Sequence, residues 1–315
     1  MDPILIHIGY HKTATSWLEH LIFDNPQTGF RWFHKKSRAA PVHRFIRDRP
    51  FEFDADEVRG LFEPLIAQAE AEGLKPVISF GRLSGHAFSG GYDSKQIADR
   101  LKAVFPEARI LIVIREQRSV IVSTYKQYVK TGGLCSLEHF LEPAKVDWRV
   151  PEFDYRYYEY HHLIGYYRRL YGRENVLVLP YEELVRNARG FVAKIAEFAG
   201  QPLPDDVLDR LPYDQRSTVA KPALMLELSR PFNRFGQPTD LNPQPLPGPA
   251  ALADLPKTIR RWELWEHPLA QKLAARSERR LRKQVAETVG DRYVASNRET
   301  AAMTGLDLGS YGWMM

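Results

Sequence analysis

An unbroken aliphatic run at residues 109–114, Arg-Ile-Leu-Ile-Val-Ile, constrains the fold more than any other stretch of this chain. A strand without polar alternation is buried on both faces, as in a parallel sheet that helices cover on both sides. Apolar runs at residues 4–8, 77–80 and 175–179 have the same character, and helical periodicity separates them. The pattern predicts an α/β fold with a doubly wound, mainly parallel central sheet flanked by helices and followed by a C-terminal helical extension.

The helices between these strands are predicted from apolar periodicity and from capping residues. Asp54 or Asp56 can cap the first long helix, and Gly200 ends a later one. The predicted helices cover residues 57–72, 94–105, 116–131, 153–171, 191–199 and 256–289. We expect a single domain over residues 1–315, with an α/β core at 1–230 and C-terminal helices at 257–315.

Residues 231–256 are rich in proline, with seven prolines among 26 residues. Because proline lacks an N–H donor and disrupts helix interiors, this density predicts an irregular surface segment. Two interpretations stay open for it, namely a lid over a binding site and a plain connection to the C-terminal helices.

The first strand is followed by Gly9-Tyr-His-Lys-Thr-Ala-Thr-Ser16, and a helix carrying Trp17 and Leu18 begins there. A strand, a tight loop and a helix N-terminus together direct backbone N–H groups and the positive end of a helix dipole at one point, which favours phosphate or sulfate. Lys12 adds a full positive charge. The loop does not match a Walker A motif, because Gly9 precedes Lys12 by only three positions and no second glycine comes before the lysine.

Composition is consistent with a globular protein that binds a small anion. The 315 residues carry a net charge of +5, which is well below the charge density of a dedicated nucleic-acid-binding protein. No apolar run approaches the ~18 residues that a membrane span needs, so we expect a cytoplasmic protein without a membrane span. The single cysteine, Cys135, excludes an intrachain disulfide and is expected to be a buried, inert thiol.

A second basic position follows the aliphatic strand, where Arg115 ends the strand and Ser123 lies eight positions later in the next helix. An arginine fork and a hydroxyl at that place can bind a second phosphate together. The carboxyl ends of parallel strands lie at one edge of a sheet. We therefore expect the first loop, residues 81–84 and Arg115 to converge.

These motifs together resemble the sulfotransferase family. The loop 9–16 looks like the 5′-phosphosulfate loop of that family, Lys-[Thr/Ser/Gly]-Gly-Thr-[Thr/Ser], and Arg115 with Ser123 looks like its 3′-phosphate motif. The run Pro180-Tyr181-Glu182 is also similar to the family, as are residues 293–298 and 305–312 near the C-terminus. The resemblance spans most of the chain and implies a fold similar to that of P-loop nucleotidases.

The resemblance implies a donor, 3′-phosphoadenosine 5′-phosphosulfate (PAPS), and sulfuryl transfer to a hydroxyl or amine of a small-molecule or carbohydrate acceptor, with no metal. In family terms Lys12 contacts the bridging oxygen of the donor and stabilises the leaving phosphate. Arg115 and Ser123 would bind the 3′-phosphate. The residues that the resemblance assigns to the donor-binding loop are Gly9, Tyr10, Lys12, Thr13, Ala14, Thr15 and Ser16.

Two positions depart from the family pattern. Ala14 stands where the family usually has glycine, which is harmless only if that residue is helical. Gly81 and Arg82 stand just past the second strand, where many members have a catalytic glutamate. Another general base is then needed. The candidates, in order of preference, are His11, His86, the pair His161 and His162, and Glu19 if it faces the cleft.

Three functions are consistent with these residues. The first is a PAPS-dependent sulfotransferase, and the second is a catalytically silent homologue that keeps the nucleotide site, which the missing glutamate favours. The third is an ATP-dependent kinase with a P-loop-like fold. A kinase needs Mg²⁺ and an acidic metal ligand after a buried strand, whereas here the first polar residue after the strand is Arg115.

Overall fold

The computed structural model describes residues 3–33, 40–143, 152–215, 221–235, 237–239, 241–261 and 267–315. Within these ranges one sheet has five strands in the order β2-β3-β1-β4-β5, and every neighbouring pair is parallel. This arrangement confirms the predicted doubly wound α/β fold. The strands are β1 (Leu5–His7), β2 (Phe30–Trp32), β3 (Lys75–Ser79), β4 (Arg109–Ile114) and β5 (Val176–Pro180).

The helices alternate with the strands along the chain, as the sequence predicts. Asp54 is the cap of the first long helix, since its carboxylate accepts from the N–H groups of Asp56 and Glu57. The helices are α1 (Thr15–Trp17), α2 (Arg44–Arg47), α3 (Ala55–Ala71), α4 (Ser94–Val104), α5 (Gln117–Lys130), α6 (Leu137–Leu141), α7 (Tyr160–Tyr171), α8 (Tyr181–Arg186), α9 (Ala188–Ala199), α10 (Asp205–Arg210), α11 (Ala223–Ser229), α12 (Ala250–Arg261), α13 (Pro268–Val289) and α14 (Val294–Thr304).

Both faces of the sheet are buried under helices. On one face Leu111 and Val113 pack into a core with the first helix and α9, which contributes Phe191 and Ile195. The alternate residues of β4 are also fully buried, and α7 contacts both β4 and β5. Burial on two faces is the reason that β4 reads as a continuous aliphatic run.

The chain divides into two compact units. The first contains Met1–Glu116, Tyr155–Thr218 and Tyr293–Met315, and it holds the whole sheet. The second contains Gln117–Asp154 and Val219–Arg292, with helices α5, α6, α11, α12 and α13. The predicted single domain over residues 1–315 stays a prediction. None of the described helices is long and apolar enough to cross a membrane.

Several sequence predictions are wrong in detail. Residues 30–32 form the edge strand β2, which the mixture of basic and aromatic residues had hidden. Helix α12 begins at Ala250 and contains Pro256, so the irregular part of the proline-rich segment ends at residue 249 rather than at 256. Six of its seven prolines precede Ala250, and proline density alone does not show where they cluster. Cys135 is exposed rather than buried.

The tyrosine-rich helix predicted at residues 153–171 is interrupted. A 3₁₀ helix covers Tyr155–Tyr158, and α7 begins only at Tyr160. Tyr155, Tyr158 and His162 would share one face of an uninterrupted helix, but here Tyr158 is fully buried while the His162 side chain is 65% exposed. The interruption is due to tertiary packing of the tyrosines, since Tyr157 packs against Tyr10 and Tyr160 is bonded to Arg115.

Candidate donor-binding site

The first loop connects β1 to α1 and has an unusual backbone. Gly9, Lys12 and Ala14 all have positive φ, at +33°, +68° and +64°. Left-handed residues set among ordinary ones turn neighbouring N–H groups toward one side, which is how anion-binding concavities form in loops. Ala14 is the residue before α1, and its conformation is left-handed rather than helical. The departure from glycine at this position therefore carries strain of about 1 kcal/mol.

Gly9 is required by its surroundings as well as by its φ. A Cβ at this position would lie 2.7 Å from Nε2 of His7 and 2.9 Å from Oγ1 of Thr15. Both contacts are closer than any real Cβ makes, so another residue would displace the loop. The close approach brings the backbone of the loop against the N-terminus of α1.

A buried polar chain lies beneath the loop. Nδ1 of His7 is 2.8 Å from Oγ of Ser79, and the Ser79 hydroxyl donates to Oε1 of Glu19 at 3.2 Å. All three residues are at most 1% exposed. Glu19 therefore points into the protein, and its candidacy as a general base facing the cleft is wrong. A buried carboxylate needs hydrogen-bond partners, and Ser79 provides one for Glu19. The bonds also join the ends of β1 and β3 to the helix that follows the loop.

Arg115 reaches the first loop, as the convergence of strand ends predicts. Its Nη1 donates to the carbonyl oxygen of Lys12 at 3.0 Å, and its guanidinium lies 4.4 Å from the ring centroid of Tyr181. The Tyr160 hydroxyl donates to the Arg115 carbonyl at 2.6 Å. Nε of Arg115 is buried and has no partner among the described residues. The guanidinium is thus fixed beside the loop and keeps one unused donor.

The second loop, after β3, also packs against the first. A Cβ on Gly81 would lie 3.5 Å from Oγ1 of Thr15, which is ordinary contact. Arg82 forms an ion pair with Asp93, and their side chains are only 15% and 8% exposed. The position where the family pattern has a catalytic glutamate is therefore next to the first loop but carries no carboxylate, and the residue after it is an arginine paired with Asp93.

His11 belongs to the first loop, and its ring faces the second loop. Its ring is hydrogen-bonded to the backbone of Gly85, and Nε2 is buried without a partner in the described part of the chain. Burial of the ring, together with the charge of Arg82, lowers the pKa of His11 from 6.5 to about 4. The imidazole is neutral at physiological pH, so it keeps one nitrogen lone pair that can accept a proton or a hydrogen bond.

The other histidines considered as bases have different neighbours. His86 is bonded through Nδ1 to the Ser89 hydroxyl at 2.8 Å. His161 is bonded to Ser296, and His162 to Glu159. Among the predicted bases, His11 is the one within the first loop, and within the described ranges its buried Nε2 has no hydrogen-bond partner.

Tyrosines form the inner wall behind the loop. The ring of Tyr10 is 5.0 Å from that of Tyr157 and 4.7 Å from that of Tyr160, and all three are buried. Burial raises the pKa of each of these phenols well above 10, so they stay neutral. Tyr160 and Tyr181, which orient Arg115, were missed as site residues by the sequence. The only sequence signal for them is that Tyr181 directly follows a strand.

The remaining predicted residues differ in environment. Thr13 is fully buried and its hydroxyl donates to the Tyr10 carbonyl at 2.6 Å, while Ser16 and Lys12 are exposed. Oγ1 of Thr15 is buried and unpartnered within the described ranges. Ser123 lies in α5, in the second compact unit, so its participation with Arg115 stays a prediction.

Comparison with known proteins agrees with this geometry. Residues 94–205, which contain β4, Arg115 and Ser123, match the model of the sulfotransferase family. The predicted resemblance to sulfotransferases is confirmed. Mouse Sulfotransferase 2B1 is 32% identical over 111 residues, covering 34% of this chain and 31% of the relative. Mouse Sulfotransferase 2A6 is 31% identical over 107 residues, covering 33% and 35%. The chain thus spans about a third of the length of the curated sulfotransferases it matches.

Solved sulfotransferase structures align over longer stretches at lower identity. The sulfotransferase from Alicyclobacillus acidocaldarius aligns with 73% of this chain and 90% of its own, at 23% identity and a TM-score of 0.48. Mouse sulfotransferase SULT7A1, complexed with PAP, aligns with 97% of this chain and 89% of its own, at 14% identity and a TM-score of 0.39.

Proposed function

We propose that this protein transfers a sulfuryl group from PAPS to a hydroxyl or amine of a small-molecule or carbohydrate acceptor. The observation that carries the proposal is the hydrogen bond from Arg115 to the Lys12 carbonyl. It joins the two sequence motifs that resemble the 5′- and 3′-phosphate sites, although 103 positions separate them. The family match over residues 94–205 supports the same interpretation.

The residues present fit an anionic nucleotide donor. Oγ1 of Thr15 and Nε of Arg115 are buried donors that have no partner among the described residues, and a buried unpaired donor costs about 1–3 kcal/mol. Gly9 lets the loop backbone lie against His7 and Thr15, where a Cβ would clash with both side chains. The proposed donor-binding residues are Gly9, Tyr10, Lys12, Thr13, Ala14, Thr15, Ser16, Arg115 and Ser123. Tyr10 and Thr13 would contribute backbone groups, because their side chains are engaged inside the protein.

Two residues have proposed catalytic roles. When bound, the donor supplies an activated sulfuryl group, and the acceptor oxygen or nitrogen replaces the phosphate oxygen on sulfur. Lys12 stabilises the negative charge that grows on the departing phosphate. His11 accepts the acceptor's proton at Nε2. A base with a pKa near 4 is weak, and burial of the ring is the main cause of this low pKa. An anion bound beside Lys12 would offset the smaller contribution of the nearby positive charges.

Nucleotide selectivity is the first test. We expect 3′,5′-ADP to raise the melting temperature of the protein more than AMP or ATP with Mg²⁺ does, since only 3′,5′-ADP carries both phosphates that the two motifs are proposed to bind. Equal shifts with all three nucleotides would contradict the donor site. A shift that ATP with Mg²⁺ alone produces would instead favour the kinase.

Two substitutions separate binding from catalysis. Lys12→Ala should abolish turnover, whereas Arg115→Ala should chiefly weaken 3′,5′-ADP binding, as measured by calorimetry. Charge-matched controls are Lys272→Ala and Arg210→Ala, because both side chains are exposed on helices outside the loops. Near-normal kinetics and binding in Lys12→Ala and Arg115→Ala would refute the proposed site.

A catalytically silent homologue is the second candidate function. It is favoured by Gly81, which lies against Thr15 where a catalytic carboxylate would be expected. In that case 3′,5′-ADP binds, but no acceptor in a broad panel of labelled-PAPS assays is sulfated. Gly81→Glu then serves as a diagnostic, since its Cβ makes only ordinary contacts and its carboxylate starts beside the loop. Activity gained in this variant would identify a decayed enzyme.

A further inference from the structure

A second cluster of chemically active side chains lies at the start of α7. Glu159 is the residue before the helix, and His161 and His162 are in its first turn. Each residue offers one ligand atom, and these three atoms lie within 4.8 Å of one another. The cluster is described below as the Glu159 cluster. Neither sulfuryl transfer nor donor binding as proposed above uses it.

The spacing in the Glu159 cluster is close to that of ligands around one metal ion. Tetrahedral zinc with bonds of about 2.0–2.1 Å separates two ligand atoms by roughly 3.3 Å. Nε2 of His162 is 3.1 Å from Oε2 of Glu159. The His162 side chain is 65% exposed and can therefore move to close the longer separations without disturbing the core.

His161 is held in the orientation that a ligand needs. Its Nδ1 is 2.9 Å from the hydroxyl of Ser296, which is 5% exposed. With Nδ1 engaged, Nε2 is the nitrogen left for a metal, and it is already 3.2 Å from Oε2 of Glu299. Metal-binding histidines usually have such a partner on the other ring nitrogen, because it fixes the ring and its tautomer.

The two imidazole rings of the cluster also lie side by side. Their centroids are 3.9 Å apart and their planes are tilted by 41°, a spacing that disfavours two positive charges next to each other. Neutral imidazole is the form that binds divalent metals.

We propose that Glu159, His161 and His162 form a binding site for a divalent cation of the zinc type, with Glu299 beside His161. Two imidazoles and a carboxylate favour zinc or a similar transition metal over Mg²⁺, which prefers oxygen ligands alone. Because the partly exposed site lies outside the donor-binding loops, its role is structural. It would join the start of α7 to α14, which carries Ser296 and Glu299.

This location gives the ion a measurable effect on stability. Tyr160 belongs to the same helical turn, and its hydroxyl holds the Arg115 carbonyl. An ion that binds the folded state and not the unfolded chain raises the melting temperature in a concentration-dependent way. Zinc should therefore stabilise the protein even without nucleotide.

The test uses full-length, tag-free protein that has been treated with a chelator. Titration with zinc sulfate, followed by calorimetry, should show about one ion bound per chain, and Co²⁺ should give the visible absorption of a low-symmetry site. His162→Ala is the main variant, since its exposed ring can be removed without affecting folding. It should weaken zinc binding by at least about tenfold and remove the thermal shift.

His139→Ala is the matched control. His139 is also bonded to a nearby side chain, Ser136, but it does not belong to the Glu159 cluster. It should bind zinc as the wild type does, and Mg²⁺ should not compete. Absence of saturable zinc binding in the wild type, or equal binding in wild type and His162→Ala, would overturn the proposal. Nucleotide binding is measured separately, so failure here leaves the sulfotransferase proposal unaffected.

Discussion

Replacing Gly9 by alanine tests the geometry of the first loop directly. The new Cβ would lie 2.7 Å from Nε2 of His7 and 2.9 Å from Oγ1 of Thr15, at a φ of +33°. His7 cannot swing aside easily, because it is fully buried and its other ring nitrogen is bonded to Ser79. We therefore expect Gly9→Ala to destabilise the fold and to disturb the first loop.

The magnitude follows from three contributions. An alanine at positive φ costs about 1–2 kcal/mol, and overpacking of this kind costs about 1–3 kcal/mol. Alanine also restricts the unfolded chain, which returns about 0.4–1 kcal/mol. The expected loss in the free energy of unfolding is about 2–4 kcal/mol.

Gly60→Ala provides the matched control. Gly60 lies in α3, is exposed, and would place its Cβ with no atom within 4 Å. Helix propensity alone predicts that this change stabilises the protein by about 0.5–1 kcal/mol. The same substitution is thus expected to act in opposite directions at the two positions.

Urea unfolding followed by circular dichroism measures both changes, and calorimetry with 3′,5′-ADP measures the loop. Gly9→Ala should lose stability and nucleotide affinity together, whereas Gly60→Ala should bind normally. If Gly9→Ala unfolds within about 0.5 kcal/mol of the wild type and binds 3′,5′-ADP equally well, the described approach of Gly9 to His7 is wrong.

Three further predictions concern neighbouring residues. Because the pKa of His11 is about 4 when folded and 6.5 when unfolded, the unfolded state binds the proton first as pH falls. The wild type should lose about 3 kcal/mol more stability between pH 7 and pH 4 than His11→Gln does, and parallel curves in urea titrations would contradict this. Asp93→Asn leaves the buried Arg82 unpaired and should cost about 3 kcal/mol, against less than about 1 kcal/mol for Asp206→Asn in an exposed pair. Equal losses would refute the burial argument. Ala14→Gly relieves left-handed strain and should stabilise the protein by about 0.5 kcal/mol, whereas a clear loss in a thermal melt would show that the strain is absent.

The sequence was a good guide to the buried strands and to the ends of helices. The strand at Arg109–Ile114 has the predicted bounds, and Asp54 and Gly200 lie at helix ends as predicted. These features depend on local chemistry, since aliphatic continuity and capping groups act over a few residues. Edge strand β2 was missed because an edge strand needs neither a continuous aliphatic run nor strict alternation.

The tyrosine-rich segment shows where local patterns fail. Periodicity over residues 153–171 favours one helix, but the chain breaks at Glu159. The break lets Tyr157 pack against Tyr10 and lets Tyr160 reach Arg115. Packing against a distant loop outweighed helix propensity, which is worth only tenths of a kcal/mol per residue.

For the first loop and Arg115, the sequence by itself determined which residues follow the strands and therefore which cationic side chains meet at the edge of the sheet. Only the tertiary structure decided how they meet. It placed Glu19 in a buried chain with Ser79, gave Ala14 a left-handed backbone, and left Nε2 of His11 without a partner among the residues that the structure describes. The physical reason is that residue type and spacing fix local conformation, whereas burial, pKa and hydrogen-bond partners depend on groups that are distant in sequence.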